Sequence, residues 1–145
     1  MRFKSKIYLD YDDVLSMCDN LEYEVSKFKP DFIVGITRGG LVPALHLSHA
    51  LDRPMVTIKW QTRDEDNQEH NKFIQQQLDQ QKKVVFVDDI NDTGKTFRGI
   101  DQAYHCSRPN AMMISLVAKT ESCFKAKAAL TIDDERWIVF PYEKL

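Results

Sequence analysis

Residues 84–96 read Val84-Val85-Phe86-Val87-Asp88-Asp89-Ile90-Asn91-Asp92-Thr93-Gly94-Lys95-Thr96. Four consecutive apolar residues, three of them valine, mark a strand buried on both faces, as in a parallel sheet. The strand is expected to stop against two adjacent carboxylates. A turn built from Asp, Thr and Gly then leads into a helix predicted from Thr96 to His105. Strand, polar turn and helix form the repeating unit of α/β domains, whose ligands lie outside the carboxyl ends of the strands.

Working outward, the same unit recurs. Val14, Leu15, Cys18, Leu21 and Val25 fall at helical spacing and predict a helix over 12–28, with Asp10 or Asp12 available to cap it and Pro30 to end it. Phe32-Ile33-Val34-Gly35-Ile36 reads as a second buried strand. It runs into the turn Thr37-Arg38-Gly39-Gly40 and a helix over 42–51, with Pro43 in the first turn, where proline is tolerated. Strands are predicted at 55–59, 112–117 and 129–132. Residues 61–71 are polar and without period, hence a long loop, and Phe73, Ile74 and Leu78 give a glutamine-rich helix its apolar stripe. Trp137-Ile138-Val139-Phe140-Pro141 closes the pattern as a short apolar segment. The prediction is an α/β fold with a mainly parallel central sheet flanked by helices, one domain over 1–145. The two unusual turns, after Ile36 and after Val87, should share one rim of the sheet.

Composition narrows the function classes. At 145 residues, 43% hydrophobic and 29% charged with a net charge of −2, the chain has the balance of an ordinary globule and gives no support for a nucleic-acid partner. Cys18, Cys106 and Cys123 are odd in number and scattered, without the spacing of a zinc site or a disulfide framework. No apolar run is long enough for a membrane span, and the segment Met1-Arg2-Phe3-Lys4-Ser5-Lys6 has no apolar stretch behind it, so the expected location is the cytoplasm. His46, His49, His70 and His105 fall in no triad or ligand set.

The turn of residues 92–96 carries the chemistry. It offers backbone N–H groups at a helix start, two threonine hydroxyls and an ammonium, which together make a phosphate cradle. Gly94 permits close approach or positive φ. Asp88 and Asp89 sit several residues away. They repel phosphate but accept hydrogen bonds from sugar hydroxyls and can ligate Mg²⁺. Donors for a phosphate beside acceptors for a diol match the polarity of a ribose 5-phosphate. Gly94-Lys95-Thr96 also matches the tail of a nucleotide-binding P-loop, but that loop needs glycine where Asp89 stands. A bare helix cap needs one Asp or Thr, and here several are stacked together.

Residues 84–96 resemble the phosphoribosyl pyrophosphate-binding motif of the type I phosphoribosyltransferases. The resemblance spans about residues 32–143 and implies that family's fold, with a small hood built from the terminal segments. It implies that Asp88 and Asp89 hold the ribose hydroxyls and that Asp89 meets the metal, Mg²⁺. It further implies that Asp92, Thr93, Gly94, Lys95 and Thr96 hold the 5-phosphate. Thr37-Arg38-Gly39-Gly40-Leu41-Val42-Pro43 is similar to the pyrophosphate loop of the bacterial xanthine-guanine branch, with Thr37, Arg38 and Gly39 as the contacts. On physical grounds Arg38 supplies a charged fork, and paired glycines can expose backbone donors.

By the same resemblance, Lys119 donates to O6 of a purine, while Trp137 stacks on the ring and Ile138 lines the base site. A lysine donor favours a carbonyl over an amino group at that position, so adenine should be rejected. The run Asp64-Glu65-Asp66-Asn67-Gln68 resembles the mobile catalytic loop, with Thr62-Arg63 where the branch usually has Ser-Tyr. The implied reaction joins phosphoribosyl pyrophosphate to a 6-oxopurine through a loose transition state, with Asp92 accepting the N7 proton. Two alternatives share the fold: a regulatory protein that senses phosphoribosyl pyrophosphate, and a transferase for another base such as a pyrimidine. Relatives of this kind are dimers or tetramers, which makes a homo-oligomer the expectation.

Overall fold

The computed structural model describes residues 5–61 and 68–143. The elements in chain order are β1 (Lys6–Tyr8), α1 (Tyr11–Phe28), β2 (Phe32–Thr37), α2 (Leu41–Leu51), β3 (Met55–Lys59), α3 (Lys72–Asp79), β4 (Val84–Asn91), α4 (Lys95–Tyr104), β5 (Ala111–Lys119), β6 (Lys127–Ile132) and β7 (Trp137–Val139). Five strands form one parallel sheet in the order β3-β2-β4-β5-β6. β1 and β7 form a separate parallel pair, Ile7 opposite Ile138. This is the predicted α/β architecture with a small second sheet built from the terminal segments.

Alternation along the strands builds the core on both sides of the sheet. Val85 and Val87 of β4 face Val14, Cys18, Leu21, Ala44 and Leu47 from α1 and α2. Val84 and Phe86 face the other way, onto Ile74, Leu78, Phe97, Ile100 and Tyr104 from α3 and α4. All four β4 residues are fully buried, so a continuous apolar run is what a strand covered on both faces requires. Helix α1 starts with a capping box: Asp10 accepts from the N–H of Asp13, and Asp13 accepts from the N–H of Asp10.

The order of strands positions the site. From β2 the chain moves outward to β3, then returns past β2 to lay β4 on its other side. The crossovers leave in opposite directions here, and a crevice opens between the carboxyl ends of β2 and β4. The turns that follow these two strands meet in that crevice.

One expectation about the strands needs correction. β4 does not stop at Asp88 but runs on to Asn91, with Asp88 paired to Ser115 and Asn91 to Ala118 of β5. The acid doublet is therefore held by the ladder and is not free in a turn. β1 had no counterpart in the sequence reading. The loop over 61–71 is only partly described: Trp60 and Gln68 form an antiparallel bridge, and residues 62–67, including most of the run that resembles the catalytic loop, lie outside the described residues.

Candidate active site

At the end of β4 the main-chain N–H of Asp89 donates to the Asp88 carboxylate at 2.8 Å. Both carboxyl groups are raised above the usual carboxylate range. For Asp88 the main cause is burial, reinforced by the charge of Asp89. For Asp89 it is again burial, opposed by hydrogen bonds from Asp88 and Tyr142 and reinforced by Glu143. Two crowded, buried carboxyls favour sharing a proton. Among the described residues, no group of three or more His, Cys, Asp or Glu side chains could cage a metal ion. An acid pair with hard oxygens does fit Mg²⁺, which keeps several waters and is bound by one or two carboxylates together with substrate phosphates.

The turn of residues 92–94 then brings the chain into α4. Gly94 is the N-cap, at φ +92°, a conformation natural to glycine. Thr93 Oγ1 accepts from the N–H of Lys95 at 3.3 Å, while Asp92 and Thr93 are exposed toward the crevice. The first-turn N–H groups of a helix lack partners within the helix, and this end of α4 presents them beside the hydroxyls of Thr93 and Thr96.

The turn after β2 closes against the doublet. The Thr37–Arg38 peptide is cis, and Arg38 is exposed. A side chain at Gly39 would occupy the place of the Asp89 carboxylate, its Cβ 2.1 Å from Oδ2. A Cβ at Gly40 would lie 2.2 Å from the Val87 carbonyl oxygen. Sequence reasoning took the paired glycines as exposed donors. For Gly40 this is corrected: its N–H donates to the Ile36 carbonyl at 2.8 Å. Lack of space for a side chain explains both glycines.

Lys119, at the end of β5, reaches the loop that precedes β7. Its ammonium donates to the carbonyls of Asp134 at 2.5 Å and Arg136 at 2.7 Å, so two of its three protons are engaged. Arg136 in turn grips the Asp134 carboxylate at 2.6 and 2.8 Å, and its hydrogen bonds hold that carboxyl down to about 2. The loop is thereby pinned just before Trp137, whose ring is half exposed, while Ile138 is buried. Asp89, Asp92, Thr93, Lys119, Trp137 and Ile138 line one cleft of about 490 Å³.

One residue of this cleft region escaped the sequence reading. Tyr142 donates its hydroxyl to Asp89 Oδ2 at 3.1 Å and lies 3.5 Å from the Gly39 carbonyl oxygen. Its ring stacks on Phe140, with centroids 5.5 Å apart. Burial, then the Asp89 charge, pushes its hydroxyl pKa up, so it remains a donor. No motif marks it. The only signal is a tyrosine directly after Pro141, and the fold alone brings it to the doublet.

The model of the phosphoribosyl transferase domain family matches residues 6–140. A xanthine-guanine phosphoribosyltransferase of Cereibacter sphaeroides is 31% identical over 117 residues, covering 77% of this chain and 68% of that protein. The crystal structure of a purine phosphoribosyltransferase from Pyrococcus horikoshii Ot3 superposes with a TM-score of 0.80 at 29% identity, covering 97% of this chain and 96% of the other. A Helicobacter pylori xanthine-guanine-hypoxanthine phosphoribosyltransferase shares the fold, with a TM-score of 0.69 at 22% identity and 92% of each chain covered. An acid doublet and a threonine-glycine turn in one crevice, on a chain matched over nearly its whole length, place this protein in the phosphoribosyltransferase family.

Proposed function

We propose that the chain transfers the 5-phosphoribosyl group of phosphoribosyl pyrophosphate to a 6-oxopurine, giving a nucleoside monophosphate and pyrophosphate. One observation carries the reading: residues of the phosphate turn, Asp92 and Thr93, line the same cleft as Lys119 and Trp137, with Asp89 among them. The names of the relatives in Cereibacter and Pyrococcus point the same way.

In this reading the turn of residues 92–96 holds the 5-phosphate through Thr93, Lys95, Thr96 and the backbone at Gly94. Asp88 and Asp89 accept hydrogen bonds from the ribose hydroxyls, and Asp89 would hold Mg²⁺. The metal, when bound, supplies positive charge for the departing pyrophosphate. Thr37, Arg38 and Gly39 receive the pyrophosphate oxygens, Arg38 by its charged fork. The bond from C1 of the ribose to the pyrophosphate oxygen breaks, a bond from C1 to a base nitrogen forms, and Asp92 accepts the N7 proton. The remaining N–H of Lys119 meets O6, Trp137 stacks on the ring, and Ile138 backs it.

The substrates are small polar metabolites, which fits an enzyme of the cytoplasm. Self-association belongs to the same reading: Tyr11 and Leu15 on α1 and Leu41 and Leu45 on α2 are exposed apolar side chains on two helices that pack together. The test is a panel of bases incubated with phosphoribosyl pyrophosphate and Mg²⁺, with pyrophosphate release followed. Guanine, hypoxanthine or xanthine should support release, and adenine and uracil should not. Release with uracil or orotate alone would overturn the purine assignment.

A further inference from the structure

Asn91 and Ser122 are buried polar side chains to which the mechanism gives no task, each no more than 4% exposed. Asn91 is the last residue of β4, and the next residue opens the phosphate turn. Its Nδ2 donates to the Phe124 carbonyl at 2.8 Å, and its Oδ1 accepts from Ser122 Oγ at 2.9 Å. The N–H of Phe124 donates back to Ser122 Oγ at 3.2 Å. These bonds fix the segment Ser122-Cys123-Phe124 behind the turn.

The segment in turn touches the phosphate turn at several points. The N–H of Cys123 donates to the Thr93 carbonyl at 2.8 Å, and Arg98 from the second turn of α4 donates to the Cys123 carbonyl at 3.0 Å. The space beside Gly94 is filled by the same three residues: a Cβ there would lie 2.6 Å from Phe124 N, 2.7 Å from Ser122 Oγ and 2.8 Å from Cys123 Sγ. A glycine turn is intrinsically loose. This one is clamped from the side opposite the crevice.

We propose that Asn91, acting through the Ser122-Cys123-Phe124 backstop, is a positioning residue for the 5-phosphate turn. The inference rests on the phosphate role given to residues 92–96 above. By holding the turn rigid before ligand arrives, the backstop removes an ordering cost that binding would otherwise bear. The segment is tied to Lys119 only through its main chain, the Ser122 N–H donating to the Lys119 carbonyl at 3.1 Å. Substitution of the Asn91 or Ser122 side chain leaves that bond in place, so the effect belongs to the sugar-phosphate half of the substrate pair.

Ribose 5-phosphate is the probe, since it carries sugar and phosphate without pyrophosphate or base. In the full chain, Asn91→Ala should weaken its binding about tenfold, the factor that one buried hydrogen bond left unmade corresponds to. KM for phosphoribosyl pyrophosphate should rise by a similar factor, while KM for the purine stays within about twofold. Ser122→Ala should reproduce the loss, and the double variant should be little worse than either single one, because both act in one network. Folded variants that bind ribose 5-phosphate as tightly as the parent would overturn the proposal, and so would an equal loss for both substrates. Failure of the parent itself to bind ribose 5-phosphate would remove the phosphate turn and this inference with it, a result the parent control alone reveals. If Asn91→Ala does not fold, Ser122→Ala, which deletes one hydroxyl, carries the same measurement.

Discussion

The turns after β2 and after β4 lie side by side in one crevice, yet each uses its glycines differently. Gly94 is required first by its backbone, at φ +92° where it caps α4 and N–H groups are left over, and then by the segment of residues 122–124 that fills the space beside it. Gly39 and Gly40 are required by their neighbours, since side chains there would meet Asp89 and the Val87 carbonyl, while the Gly40 cap has an ordinary helical φ of −74°. In the proposed reading both turns meet an anion, but the β4 turn does so at a helix cap with left-over N–H groups, whereas the β2 turn also presses against a pair of acids. A Gly-rich βα turn is therefore not a single kind of device, and what its glycines avoid identifies its task.

The comparison can be broken first at Asp92. Asp92→Asn should lower kcat by about a hundredfold or more, the usual scale for lost acid–base help. Binding of ribose 5-phosphate should survive, because the backbone of the turn is unchanged. Near-normal turnover by a folded variant would take the chemistry away from the β4 turn.

Gly94→Ala sharpens the contrast between the two turns. Positive φ and the contacts with Phe124 and Ser122 should together cost about 1–3 kcal/mol and raise KM for phosphoribosyl pyrophosphate on the order of tenfold. Gly40→Ala should lower stability by a similar amount, because its Cβ meets backbone oxygens. Thermal melts beside KM measurements separate the two, and equal KM values for both variants would erase the distinction.

Lys119→Ala tests the far wall of the cleft. With one charged donor gone and the Asp134–Arg136 loop released, KM for a 6-oxopurine should rise about tenfold, with ribose 5-phosphate binding unchanged. Trp137 should report the loosening through its fluorescence. Unchanged base kinetics would remove Lys119 from the base site.

The smallest effect should be one of stability. The folded pKa of Asp88 is raised, so its contribution to stability is full below the unfolded carboxyl pKa and is lost as pH rises through the folded value. Once pH exceeds the folded value, the buried charge of the pair is a liability. Asp88→Asn should then raise Tm by about 2–5 °C while impairing phosphoribosyl pyrophosphate use. A melt at pH 4.5 beside one at pH 7.5 checks the sign, since the gain should shrink at the lower pH.

Much of this was legible in the sequence where local patterns decide the structure. β3 occupies the predicted residues 55–59, and α1, α2 and α4 differ from expectation by a residue at their starts. Such elements are written in apolar period and capping residues. β1 was not legible, because Lys6–Tyr8 has no apolar run and becomes a strand only through its pairing with Trp137–Val139. The extension of β4 through Asp88 and Asp89 was hidden for a related reason, since acids are poor strand formers and β5 imposes the register. The site divides in the same way. The acid doublet and the phosphate turn form one contiguous motif. Tyr142 on Asp89, the Lys119 clasp and the Asn91 network join residues 15 or more positions apart, and nothing local announces them.

The pairing of Lys6–Tyr8 with Trp137–Val139 sets an order of assembly. Strands β2 and β4 and the two turns they carry lie within residues 32–96, but β5 and the segment of residues 122–124 that steady the β4 turn come after them. The Trp137 strand must wait longer still, because it pairs with Lys6–Tyr8 across most of the described chain. β1 thus remains without its partner strand until β7 has been made, exposed meanwhile to mispairing with other chains.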